Sequence, residues 1–204
     1  MKIKYLFFGL SLLLTSCSGN KSRTAFKPEV DEFLKLDTSI LSITVIADSL
    51  EVPWDMDYHG GTNSLIYTEI GGRISRLDLS TGEKKQLLKI ESVYQRRTLG
   101  LLGMCLHPDM QAFPYLYATY TVKRKDSIYS RLERFTYKGD TLINRKLLLE
   151  IPGNTGHNGS RVSFSKSGKL LWATGDAHSQ TFAQDSTSLN GKILRLNFDG
   201  SIRL

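Results

Sequence analysis

The sequence predicts an all-β chain built of propeller blades, and three observations carry that prediction. Beyond the first twenty residues no stretch holds an apolar pattern of helical period. Short strands punctuated by Gly, Asp, Asn and Ser recur instead. One strand pair then occurs three times with the same order of residue types, and its copies stand about one blade's length apart.

The first copy is Leu65-Ile66-Tyr67-Thr68, then Gly72-Arg73-Ile74-Ser75-Arg76-Leu77-Asp78-Leu79, closed by Ser80-Thr81-Gly82. The second is Leu116-Tyr117-Ala118-Thr119, then Ser130 to Tyr137, closed by Lys138-Gly139-Asp140. The third is Leu170 to Thr174, then Gly191 to Phe198, closed by Asp199-Gly200. The corresponding arginines, Arg76, Arg134 and Arg195, are 58 and 61 residues apart. A repeat of that size, made of several strands and a closing turn, points to blades. The second strand of each copy alternates apolar with polar, so one face should lie against the next blade. Periodicity alone also fits a β-sandwich with similar hairpins.

Propellers typically close with about four to eight blades. This chain, at its spacing, provides about three and reaches Ser201-Ile202-Arg203-Leu204 soon after the third hairpin. An unclosed array exposes sheet edges and apolar faces at both ends. Either the chain is incomplete, then, or something else covers those ends.

The N-terminus predicts export. Lys2 and Lys4 precede the apolar run Tyr5 to Leu14, the pattern of a signal peptide. That run is shorter than the roughly 20 residues a membrane-spanning helix needs. It ends in Leu14-Thr15-Ser16-Cys17, which resembles the lipobox of bacterial lipoproteins, with Cys17 as the acylated residue. An ordinary cleaved signal with an incidental cysteine is the alternative. Each buried methylene is worth about 0.8 kcal/mol, so two or three acyl chains anchor firmly where one would not. The expected organisation is a signal peptide over residues 1–16, a lipidated and flexible tether over 17–32, and a partial propeller over 33–204. The expected location is the bacterial cell envelope, lipid-anchored on the periplasmic or outer-membrane side.

The formal charge is +7, and removal of Lys2 and Lys4 leaves +5. The positive groups are scattered among acids. Gln95-Arg96-Arg97 and Lys123-Arg124-Lys125 are short, with no aromatic-interleaved basic stripe, so nucleic acid is not an expected partner. Cys105 is alone once Cys17 is acylated, which rules out an intrachain disulfide, and its apolar surroundings predict a buried, inert thiol.

His157 stands out among four histidines. It sits in Pro152-Gly153-Asn154-Thr155-Gly156-His157-Asn158-Gly159-Ser160-Arg161, a Gly-rich loop between strands with no apolar pattern to bury the ring. Asp176 follows the strand Leu170 to Gly175, where the chain leaves the sheet. Loops held by a rigid scaffold are where catalytic residues gather. A carboxylate beside a histidine fixes its tautomer and makes it a general base. A plain loop histidine fits the spacing as well. His107, before Pro108, reads as part of a turn, and His59 and His178 have no supporting context. No His/Cys/Asp cluster has metal-ligand spacing, and no Gly-rich segment has the setting of a phosphate cradle.

Val52-Pro53-Trp54, the stretch Gly100-Leu101-Leu102-Gly103 to Asp109, and His157-Asn158-Gly159-Ser160-Arg161-Val162-Ser163-Phe164 resemble the glucose/sorbosone dehydrogenase family. So do Gly168 to Asp176, Ala183-Gln184-Asp185, and Leu189-Asn190-Gly191-Lys192-Ile193-Leu194-Arg195-Leu196. The match runs in order from about Leu50 to Ile202. The resemblance implies an exported aldose dehydrogenase on a six-bladed propeller that uses pyrroloquinoline quinone (PQQ) and calcium. In that reading His157 takes the proton of the sugar's anomeric hydroxyl, hydride passes to the quinone, and Asp176 supports the base. Asn158, Gln184 and Asp185 would lie near the sugar.

Two departures from the family pattern qualify the expectation. Thr98-Leu99 stands where the family commonly carries Glu or Gln, on the substrate side. The residues that grip the quinone and hold calcium come mainly from later blades, which this sequence does not contain. The chain alone is therefore expected to lack activity, a second chain or a missing C-terminal half completing the propeller. The competing reading is a non-catalytic lipoprotein whose partial propeller is a binding or scaffold module.

Overall fold

A computed structural model describes residues 26–202; Cys17 and the export signal lie outside the described residues. Three antiparallel sheets follow one another along the chain. The first holds β3 (Pro53–His59), β4 (Ser64–Glu69), β5 (Arg73–Asp78) and β6 (Lys84–Lys89). The second holds β7 (Leu101–Leu106), β8 (Tyr115–Arg124), β9 (Ser127–Lys138) and β10 (Thr141–Pro152). The third holds β11 (Gly159–Phe164), β12 (Leu170–Thr174) and β13 (Ile193–Leu196). Each sheet is a simple meander, strand beside next strand, as in a propeller blade. A short exposed hairpin of β1 (Glu32–Lys35) and β2 (Ile40–Ile43) precedes them. Ahead of that hairpin, inside the expected tether, the Phe26 N–H donates to Ser80 O at 2.8 Å. The α-helix among the described residues is α1 (Gln180–Gln184), five residues long, and no described helix is long and apolar enough to cross a membrane.

The threefold sequence repeat is the pair of middle strands in each sheet. Arg76 pairs with Ile66, Arg134 with Tyr117 and Arg195 with Leu171, so the three arginines share one register position. The next residue pairs Leu77 with Leu65, Phe135 with Leu116 and Leu196 with Leu170. Acidic residues close two of the hairpins: Asp78 accepts the N–H groups of Ser80 and Thr81, and Asp199 that of Ser201.

The period of two divides the middle blade between its neighbours. Leu116, Ala118, Tyr120 and Val122 of β8, with Phe135 and Tyr137 of β9, pack on Ile66, Ile74, Leu87 and Ile90 of the first blade. Tyr117 and Leu132, pointing the other way, pack with Cys105 and Ile151 on Val162, Leu170, Trp172 and Leu196 of the third. Burying each such large apolar side chain contributes about 1.5–3 kcal/mol. Side-chain hydrogen bonds then fix the spacing between blades. Thr68 donates to Leu102 O at 2.7 Å, and the register-equivalent Thr119 donates to Ser160 O at 2.8 Å. The corresponding residue of the third blade is Ala173, which has no hydroxyl. Asp55 and Asp57 of β3 accept the N–H groups of Met104 and Leu106, supplying partners to the edge strand β7.

Cys105 is buried between the second and third blades. Burial pushes its thiol well above the ordinary range, and the nearby Asp57 and Asp55 carboxylates add to the effect. At the two ends of the array apolar side chains face outward. Trp54, Met56 and Tyr58 alternate along the exposed side of β3, and Ile193 of β13 is 74% exposed.

Candidate functional site

The inner strands β3, β7 and β11 all start at the same end of their blades, because each opens an equivalent meander. At that end of the third blade, Gly159 pairs with Thr174, so the loop before β11 meets the chain leaving β12. His157 lies on the first and Asp176 on the second. Nineteen residues of sequence separate them, and the register brings His157 Nδ1 to 3.1 Å from Asp176 Oδ1.

A carboxylate only accepts, so Nδ1 carries the proton and Nε2 keeps a free lone pair. The His157 side chain is 64% exposed and that of Asp176 26%. A contact so open adds little to stability. Its value is chemical: a ring of fixed tautomer can take a proton from a hydroxyl placed against it. The loop holds this geometry at a conformational cost. His157 has φ 54°, in the left-handed region, and so do Ala177 at 52° and His178 at 62°. Such residues cost on the order of 1–3 kcal/mol each and gather where function requires them. Hydrogen bonds hold the strained segments together. His157 O accepts from Ala177 N at 2.8 Å, and Ala177 O accepts from Asn154 Nδ2 at 2.9 Å.

The other expected site residues are placed differently. Asn158 is buried, and its amide closes the loop: Oδ1 accepts from Asn154 N at 2.8 Å while Nδ2 donates to Asn154 O at 2.9 Å. Gln184 ends α1 and is exposed. Asp185 is exposed too, and the hydroxyl and N–H of Thr187 hold its carboxyl below the usual carboxylate range. The structure thus brings His157 and Asp176 into direct contact, with Asn158 beneath them and the Gln184–Asp185 segment on the neighbouring connection.

Three residues with no role assigned from sequence build this region. Lys192 Nζ donates to the carbonyls of Phe182, Ala183 and Asn190, which ties α1 back to the blade. Asn190 is buried and donates to Pro152 O at 2.9 Å. His178 stacks on His157, with ring centroids 4.2 Å apart. The Asn190-Gly191-Lys192 motif was visible in the sequence, but only the tertiary fold shows that it closes the loop. His107, by contrast, packs its ring among Phe113, Phe164 and Phe198, as a structural histidine.

Among the described residues no group of three or more His, Cys, Asp or Glu side chains is placed to hold a metal ion. Arg161, the cation nearest in sequence to His157, is engaged by Asp55 at 2.7 Å. His157 and Asp176 form a solvent-open hydrogen-bonded pair, a geometry that suits a base with its orienting acid.

Comparison with known proteins places this geometry. Residues 50–203 match the family model described as Glucose / Sorbosone dehydrogenase. Quinoprotein glucose dehydrogenase B of Acinetobacter calcoaceticus is 27% identical over 202 residues, which cover 84% of this chain and 42% of that protein. The aldose sugar dehydrogenase YliI of Escherichia coli (strain K12) is 26% identical over 168 residues, 79% of this chain and 45% of that protein. The PQQ-bound form of an aldose sugar dehydrogenase from Streptomyces coelicolor superposes with a TM-score of 0.70 at 28% identity, covering 85% of this chain and 49% of that one. The chain thus spans a little under half the length of these relatives. With a match that takes in both His157 and Asp176 and all three sheets, the chain belongs to the glucose/sorbosone dehydrogenase family.

Proposed function

We propose that this chain provides the proton-abstracting side of an exported, lipid-anchored aldose dehydrogenase. The observation that carries the reading is the His157–Asp176 contact at 3.1 Å, on an exposed loop within the family match. His157 Nε2 accepts the proton of the sugar's anomeric hydroxyl, and Asp176 stabilises the imidazolium that forms. Gln184 and Asp185, exposed at the end of α1, border the sugar in this reading. The electron acceptor in this reading is PQQ, assisted by calcium, and its holding residues lie in further blades on a second chain or a C-terminal half. The exposed faces at Trp54, Met56 and Tyr58 and at Ile193 suit contact with such blades. The test follows aldose-dependent dye reduction with PQQ and calcium, by this chain alone and with the complementary half of a family member. Turnover is expected only in the combination, and His157→Ala should lower it by roughly 10²–10⁴-fold. A rate indifferent to that substitution removes His157 from the chemistry.

Anchoring is tested separately. Cys17→Ser should move the protein from the membrane fraction to the soluble extracellular or periplasmic fraction, with loss of acyl label. Label that persists in the variant places the lipid on another residue and removes Cys17 from anchoring.

A second reading is a non-catalytic binding or scaffold module, for which the exposed apolar faces at Trp54, Met56 and Tyr58 and at Ile193 would be the partner-covered surface. Sugar binding by the chain, with no oxidation in any combination with a complementary half, would support it.

A further inference from the structure

His178 lies two residues beyond Asp176, and its ring stacks on that of His157 with centroids 4.2 Å apart and planes inclined by 30°. The backbone builds this contact. Asp176 Oδ1, the atom that accepts from His157 Nδ1, also accepts the His178 N–H at 3.0 Å. Ala177 and His178, both left-handed, turn the chain back so that the His178 side chain returns over His157. Ser179 N donates to Asp176 O at 2.9 Å and closes that turn. Gly156 leaves the room the second ring needs: a Cβ there would lie 2.6 Å from His178 Nε2.

We propose that His178 is a positioning residue that fixes the ring plane of His157. The proposal rests on the reading of His157 as the base. A histidine ring turns easily about its last side-chain bond, whose torsional wells are broad. One hydrogen bond on a largely exposed side chain does little to stop that rotation. A flat ring packed against its face does stop it, because turning would break the stacking contact. With the plane held, Nδ1 stays against Asp176 and Nε2 remains the open acceptor. The contribution is the face of the ring and not its nitrogens, so phenylalanine should replace it and alanine should not.

The test is made on this chain with labelled histidine nitrogens, the His157 ring being assigned by its disappearance in His157→Ala. In the unaltered protein His157 should show one tautomer, with the proton on Nδ1. His178→Ala should average the two tautomers or broaden the ring signals, with backbone amides outside residues 154–179 unmoved. His178→Phe should restore the single-tautomer pattern. An unchanged His157 signature in His178→Ala overturns the proposal, as does a Phe variant that behaves like Ala. In the cofactor-loaded combination, His178→Ala should lower kcat roughly ten- to a hundredfold with KM little changed, and Phe should recover it. If no variant oxidises aldose, the dehydrogenase reading falls, while the nitrogen signals still decide whether His178 orients the ring.

Discussion

Trp172→Ala is expected to cost about 3–5 kcal/mol, a large share of the roughly 5–15 kcal/mol that holds an ordinary domain folded. Trp172 is fully buried in the middle of β12 and paired with Leu194. It sits in the cluster that joins the second and third blades, with Tyr117, Leu132 and Leu170 around it. Its indole Nε1 finds no acceptor among the described residues, so truncation removes contacts and leaves a cavity without breaking a hydrogen bond. Trp172→Phe should cost clearly less, since it keeps most of the apolar ring and removes that unpaired donor. Denaturant unfolding followed by circular dichroism reads the result. The midpoint should fall with an unchanged slope. A loss below about 1 kcal/mol for the alanine variant would mean that the blades do not depend on this contact.

The second large effect is expected at Gly175. An added Cβ would lie 1.9 Å from His157 O, 2.5 Å from His157 C and 2.6 Å from Gly159 N. All three are backbone atoms and have little freedom to yield. His157 O is bound by Ala177 N, and Gly175 O accepts from Gly191 N at 2.8 Å. Gly175→Ala must therefore push the His157 loop off the blade, at a cost of about 3 kcal/mol or more. For a chain of this size that lowers Tm by roughly 6–12 °C. The His157–Asp176 contact should be lost with it, seen as loss of the Nδ1-protonated ring signature. Gly60→Ala is the control, because its Cβ would meet only Tyr58 Cε1 at 3.6 Å, and it should stay within about 0.5 kcal/mol. Equal behaviour of the two variants would show that the loop is not seated as described.

Much of this was legible in the sequence, for reasons that can be named. The strand pairs carried a period of two and closed on turn residues, so β4–β5, β8–β9 and β12–β13 announced themselves. Their arginines recur 58 and 61 residues apart, and Arg76, Arg134 and Arg195 duly occupy one register position. The outer and inner strands were harder to read. β6 mixes three lysines, two of them half-buried, with two leucines, and β7 is buried throughout, so neither shows clean alternation. The helix α1, at five residues, is too short to show a period at all.

The candidate site divides in the same way. Local signals single out His157, in a loop of glycines with no apolar pattern around it, and Asp176, at the end of a strand. Those signals are properties of a few neighbouring residues, and sequence carries them directly. That the two side chains meet depends on the pairing of Gly159 with Thr174, a contact between distant segments that no local pattern encodes. The same limit applies to Asn158, which the family resemblance puts near the sugar and whose amide hydrogen bonds, visible only in the tertiary structure, close its own loop. It also explains His178, which had no apolar or glycine context to mark it and gains its place only when two left-handed residues fold it over His157. The sequence by itself determined the strands, their repeat and the chemical types at the loop. Only the tertiary structure decided which of those groups touch, because register and backbone reversal act between residues that the chain holds far apart.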